Sequence, residues 1–242
     1  MQECVLVMNS AETISFIAAD TSRSRAYAQA LLRHGLMPAK VVVLADANKP
    51  GQLEDDGLGM APFPAPWGDF YPQIPIMRSF EEAGVACAIA PSPDVNAPET
   101  IAMLVSRPET VFIYSGFGGV ILRSAVLSTG KEFLHVHGGY LPRFKGSTTN
   151  YYSFLEEETC GASAIFMRKE LDSGPLLLRR KWPAASIRDM DHVLDAALRA
   201  QVLLETLQHY SVTREWPRVD TEETGKMYYI IHPLLRHIAL IE

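Results

Sequence analysis

Apolar and polar positions alternate along the chain so that short apolar runs are separated by helical stretches. Residues 3–8 form a short apolar run and are expected to be a first strand. Residues 40–45 are strongly β-branched, and 85–90, 111–114, 133–137 and 162–167 read in the same way as buried strands. Residues 21–34 carry Ala26, Tyr27, Ala30 and Leu31 on one helical face. Asp20, Thr21 or Ser22 is available as a cap there, and Gly35 as a stop. Further helices are expected over 79–83, 99–106 and 123–127, at the start of 146–158, and over 185–210. In the last of these Val193, Leu194, Ala197, Leu198, Val202 and Leu204 recur at helical spacing. Strand–helix–strand order predicts an α/β fold with a mostly parallel twisted sheet and helices on both faces.

Two stretches break this rhythm. Residues 48–75 are rich in Pro, Gly and Asp, with Phe63, Trp67, Phe70 and Tyr71 interspersed. They read either as a lid or as an insertion whose aromatic residues pack down. Residues 225–238 are apolar and aromatic enough to require burial, on their own domain or against a second copy of the chain. The expected organisation is one domain over residues 1–210 and a C-terminal extension over 211–242.

Composition narrows the class. Of 242 residues, 48% are hydrophobic, enough for a substantial core. No apolar run reaches the length of a membrane span, and no leader is expected at the N-terminus, so the cytoplasm is the default compartment. Cys4, Cys87 and Cys160 lack metal-ligand spacing, and an odd count argues against a disulfide framework. A formal net charge of -6 argues against tracking a nucleic-acid backbone. Arg23 and Arg25 read as a solvated helix end or as contacts to an anionic substrate.

The candidate chemistry lies between residues 133 and 175. His135 and His137 are one residue apart on a strand and so share a face. Gly138-Gly139 ends that strand, and Pro142 and Gly146 punctuate the loop beyond. Asp172 stands in a turn closed by Gly174-Pro175. Two imidazoles and a carboxylate at strand ends are groups suited to moving protons near neutrality.

In order along the chain, His137, Leu141-Pro142, Gly146 and Leu171-Asp172-Ser173-Gly174-Pro175 resemble the core of the folate-dependent formyltransferases. That family includes glycinamide ribonucleotide transformylase, methionyl-tRNA formyltransferase, sugar N-formyltransferases and formyltetrahydrofolate hydrolase. The resemblance covers residues 108–210. It implies a Rossmann-like formyltransferase fold and transfer of a formyl group from 10-formyltetrahydrofolate, as co-substrate, to an amine. His137 and Asp172 would be catalytic. Phe117, Gly118, Gly119, Val120 and Ile121 would hold the pterin. Gly139, Tyr140, Ser147, Thr148, Thr149 and Asn150 would lie at the acceptor. His135 occupies the family's asparagine position, whose side chain donates to the formyl oxygen; an imidazole N–H can donate likewise. The acidic charge, and the short chain beyond residue 210, favour a small-molecule amine over tRNA. Hydrolysis of the formyl donor is open on the same residues, as is folate binding without catalysis. His-x-His plus a carboxylate is also a metal-ligand set, which would make the chain a metal-dependent hydrolase or oxygenase.

Overall fold

The computed structural model describes residues 14–45, 71–183 and 189–241. The expected strand at residues 3–8 and most of the 48–75 stretch lie outside these residues. The chain divides into two compact units, Met1–Leu134 and His135–Glu242.

In the N-terminal unit, strands β1 (Ile14–Ala18), β2 (Val41–Val43), β3 (Cys87–Ile89), β4 (Val111–Ser115) and the first half of β5 (Glu132–His137) lie in the order β3-β2-β1-β4-β5. Every pairing is parallel; Phe16 stands against both Val41 and Ile113. β1, β2 and β4 are buried along their whole length, which is why they read as continuous apolar runs rather than as alternation. Helices α1 (Ser22–Arg33), α2 (Ile76–Glu82), α3 (Pro98–Ser106) and α4 (Ser124–Leu127) make the connections. Thr21 caps α1 by accepting from the Ser24 N–H. The chain leaves β1 toward β2 and β3, then returns to β4 on the other side of β1. Such a switch point is where open α/β sheets receive ligands, beyond the carboxyl ends of the strands.

In the C-terminal unit, the end of β5 neighbours β7 (Thr159–Phe166), which pairs antiparallel with β8 (Leu176–Pro183). β6 (Phe144–Gly146) leads into α5 (Thr149–Glu157). The long amphipathic segment begins as one π-helical turn, Met190–Leu194, and continues as α6 (Asp195–Thr213). Asp189 caps that turn by accepting from the His192 N–H at 3.1 Å. Beyond α6, Trp216 stacks on Tyr210 with ring centroids 4.1 Å apart and meets Phe166 edge-on at 5.1 Å. The chain then forms β9 (Lys226–Tyr228), parallel to β6, and α7 (Pro233–Ile241). No helix among the described residues is long and apolar enough to cross a membrane.

Candidate active site

In the N-terminal unit, β4 delivers the loop 116–121 at the switch point. Its near end is tied by Arg23, whose Nε donates to Ser115 Oγ at 3.0 Å and whose guanidinium also donates to the Gly116 carbonyl. Its far end is tied by Asn96, which donates to the Ile121 carbonyl at 3.1 Å and accepts from the Arg123 N–H at 2.8 Å. Between these anchors Phe117, Val120 and Ile121 are 43%, 37% and 59% exposed, and space is open around Gly118 and Gly119. A tethered loop presenting apolar side chains to water is a shelf that a flat heterocycle could cover. Arg25 is no solvated helix end: it is buried against Asp20 at 2.9 Å and donates to the Pro72 carbonyl.

In the C-terminal unit, β5 ends on His137, which is only 5% exposed. Its Nε2 lies 2.8 Å from the Phe144 carbonyl and 3.3 Å from Thr149 Oγ1. Its Nδ1 lies 3.4 Å from Asp172 Oδ1. The Thr149 hydroxyl spends its proton on the Gly138 carbonyl, so it offers His137 a lone pair. Both ring nitrogens therefore face oxygen acceptors. With Nε2 protonated toward Phe144, the Nδ1 lone pair would point at a carboxylate. The Nδ1–H tautomer instead donates to Asp172 and keeps Nε2 as the basic nitrogen. Burial pushes His137 below the ordinary imidazole range. Asp172 pulls it back up and Arg199 pushes it down, while the Phe144 carbonyl and Asp195 raise it.

Asp172 is fixed by its other oxygen, which accepts the Gly146 N–H at 2.8 Å. Its φ of 50° lies in the left-handed region, which aspartate tolerates better than most residues. The turn is closed by Gly174, where a Cβ would run into the Phe166 carbonyl. Gly139 is required for a similar reason: a Cβ there would stand 2.7 Å from His137 Nε2 and 2.6 Å from Thr149 Oγ1.

His135 is half-buried one pleat before His137, on the same face of β5. Thr149 and Asn150 are buried, and their polar groups turn inward. Asn150 donates to Asp195 Oδ1 at 3.0 Å and accepts from the Gly161 N–H at 2.8 Å. Thr148, with φ of 52°, accepts from the Ile231 N–H at 2.9 Å, and the Ser147 N–H donates to the Tyr228 carbonyl at 3.0 Å. The Tyr140 ring is covered by Arg179 and Lys181, at 4.4 and 4.6 Å from its centroid.

Sequence reasoning missed the layer behind His137. Arg199 pairs with Asp195 at 2.7 Å and donates to the Val136 carbonyl at 3.1 Å. Its i,i+4 spacing from Asp195 on a helix was the available signal. Among the described residues no group of three or more His, Cys, Asp or Glu side chains is placed to hold a metal ion.

Residues 75–204 match the Formyl transferase family, and the chain belongs to it. It is 30% identical to the methionyl-tRNA formyltransferase of Thermosynechococcus vestitus over 135 residues, covering 54% of this chain and 40% of that protein. The corresponding enzyme of Trichlorobacter lovleyi is 26% identical, with 54% and 42% covered. The chain thus spans about two-fifths of the length of these relatives. Among solved structures, a sugar N-formyltransferase from a Shewanella species superposes with a TM-score of 0.59 at 15% identity, covering 95% of this chain and 87% of that one. HypX from Aquifex aeolicus, solved with tetrahydrofolic acid, gives 0.57 at 13% identity, covering 93% and 31%. These likenesses establish the formyltransferase fold.

Proposed function

We propose that the chain transfers a formyl group from 10-formyltetrahydrofolate to the amine of a small molecule. The observation that carries this reading is the buried His137–Asp172 pair. Its two residues stand at the family's motif positions, with His137 Nδ1 3.4 Å from the Asp172 carboxylate, which the Gly146 N–H holds in place. The tethered 116–121 loop fits the folate: its apolar side chains would cover the pterin faces, and the open space at Gly118 and Gly119 admits a ligand close to the backbone. Bound there, the folate would supply an activated one-carbon acyl group.

The residues divide the work. Acyl transfer to an amine requires that the attacking nitrogen lose a proton and that the developing oxyanion be stabilised. His137, whose hold on a proton burial weakens, is the proton acceptor, and Asp172 stabilises the imidazolium that forms. The Phe144 carbonyl and Thr149 hold the ring. His135, in the family's asparagine position, donates to the oxyanion; loss of such a donor typically reduces rate by about 10²–10³. Thr149 and Asn150 brace the site from inside, which leaves Gly139, Tyr140, Ser147 and Thr148 for the acceptor.

Residues 1–210 carry the residues that meet donor and acceptor, and 211–242 form an extension, in the cytoplasm. The extension presents Tyr229 and Ile230 at 80% and 79% exposure, together with Leu234, which supports a homodimer through this segment. Sedimentation of the full chain tests it: a concentration-dependent dimer weakened by Ile230→Asp is expected, and a monomer at all concentrations contradicts it.

The activity is tested by incubating the protein with 10-formyltetrahydrofolate and a panel of amines. Tetrahydrofolate release and an N-formyl product should both appear, and both should vanish in His137→Ala. Donor consumed with no formylated amine identifies hydrolysis instead.

A further inference from the structure

The site's second anchor is the C-terminal strand. β6 supplies one orienting contact to each member of the acid–base pair: the Phe144 carbonyl meets His137 Nε2, and the Gly146 N–H donates to Asp172 Oδ2. β6 is three residues long, too short to hold its own geometry in a loop that carries a proline and a glycine. Its strand partner is β9, with Phe144 opposite Lys226 and Gly146 opposite Tyr228. Backbone bonds flank the ladder, from the Lys226 N–H to the Arg143 carbonyl at 3.2 Å and from the Ser147 N–H to the Tyr228 carbonyl at 3.0 Å. The Ile231 N–H also donates to the Thr148 side chain, at Oγ1. Tyr228 is the side chain that locks the pair. Its ring stacks on Phe144 at 5.4 Å and lies 4.6 Å from the ring of Tyr152, and its hydroxyl donates to Glu156 at 3.0 Å.

We infer that β9 is a strap whose residue Tyr228 positions His137 and Asp172 by fixing β6, so that the residues following α6 are part of the catalytic apparatus without touching substrate. The inference rests on the reading of His137 and Asp172 as the proton-handling pair. The physical requirement is strict: a displacement of about 1 Å at such a site reduces rate about 10²-fold. β6 contributes one backbone atom to each partner, so a shift of β6 misplaces both at once.

The test compares Tyr228→Ala with Tyr228→Phe. The phenylalanine keeps the ring against Phe144 and Tyr152, and should keep kcat within about twofold of the wild type. The alanine should lower kcat about 10²-fold while leaving KM for the folate donor within about twofold. The second readout is the ring titration of His137 by ¹H–¹⁵N NMR. Asp172, Asp195 and Arg199 are the charged groups acting on the ring, and burial dominates them. Relaxing β6 in Tyr228→Ala changes burial and also the Phe144 and Asp172 contacts, both of which act on the ring, so the titration should shift away from its wild-type position. A folded Tyr228→Ala with the wild-type His137 titration overturns the inference. So does unchanged kcat.

The titration keeps its meaning if the wild type turns over no donor, so failure of the functional reading is distinguishable from failure of this one. If Tyr228→Ala does not fold, hydrogen exchange of the wild type decides. The Gly146, Ser147 and Lys226 amides should lose protection together as denaturant is added. Ser147 and Lys226 exchanging freely, while Gly146 stays protected by about 10²-fold or more, overturns the strap.

Discussion

Asp172 Oδ1 lies 3.4 Å from His137 Nδ1, while its Oδ2 accepts the Gly146 N–H at 2.8 Å. One carboxylate thus has two duties that substitution can separate. Asp172→Asn retains an oxygen for Gly146 and a residue that tolerates the left-handed conformation, but removes the charge beside the ring. The fold should remain, with Tm near that of the wild type, while kcat falls by about 10²-fold or more. Asp172→Ala also leaves the Gly146 N–H without its partner, an additional loss of about 1–3 kcal/mol measurable by denaturant unfolding.

Burial lowers the folded pKa of His137 below its ordinary value of 6.5. Between the two values the unfolded chain binds the extra proton and the folded chain does not. The resulting stability is present above about pH 6.5 and is lost as pH falls through the folded value. Tm measured between about pH 7.5 and 5 should drop on the acid side, and His137→Gln should flatten that drop. The rate should follow the same group. The acid limb of kcat/KM should lie below about pH 6.5, because the neutral ring is the proton acceptor.

Gly139 has no room for a methyl group beside His137 Nε2 and Thr149. Gly139→Ala should be destabilised by about 1–3 kcal/mol, the usual range for overpacking. It should also show a displaced His137 resonance. A variant with wild-type stability and an unmoved resonance would mean that the strand end is looser than described.

The strands and the chemistry were unequally legible in the sequence. β2, β4 and the buried part of β5 announce themselves, because fully buried parallel strands are unbroken apolar runs. β1 at Ile14–Ala18 is equally apolar, yet the expected first strand was placed at residues 3–8, which lie outside the described region. β6 and β9 carry no local signal. Each is three residues long, and each exists through pairing with a segment some eighty residues away. Arg23 and Arg25 read as a solvated helix end or as contacts to an anionic substrate, since sequence spacing does not reveal that Ser115, Gly116, Asp20 and Pro72 converge on them. His137 and Asp172 were legible because strand alternation and the Gly174-Pro175 turn fix their local geometry. Their mutual distance, and the bracing by Asn150, Asp195 and Arg199, come only from tertiary structure.

The most direct measurement is calorimetric titration of the protein with a stable formylfolate. The account predicts micromolar binding. Phe117→Ala should weaken it by about tenfold or more, the value expected for uncovering an aromatic side chain that the ligand buries. Phe117 is exposed in the free protein, so Tm should be unaffected by that substitution. Absence of binding heat in protein shown to be folded would contradict the assignment of the 116–121 loop, and with it the formyl donor.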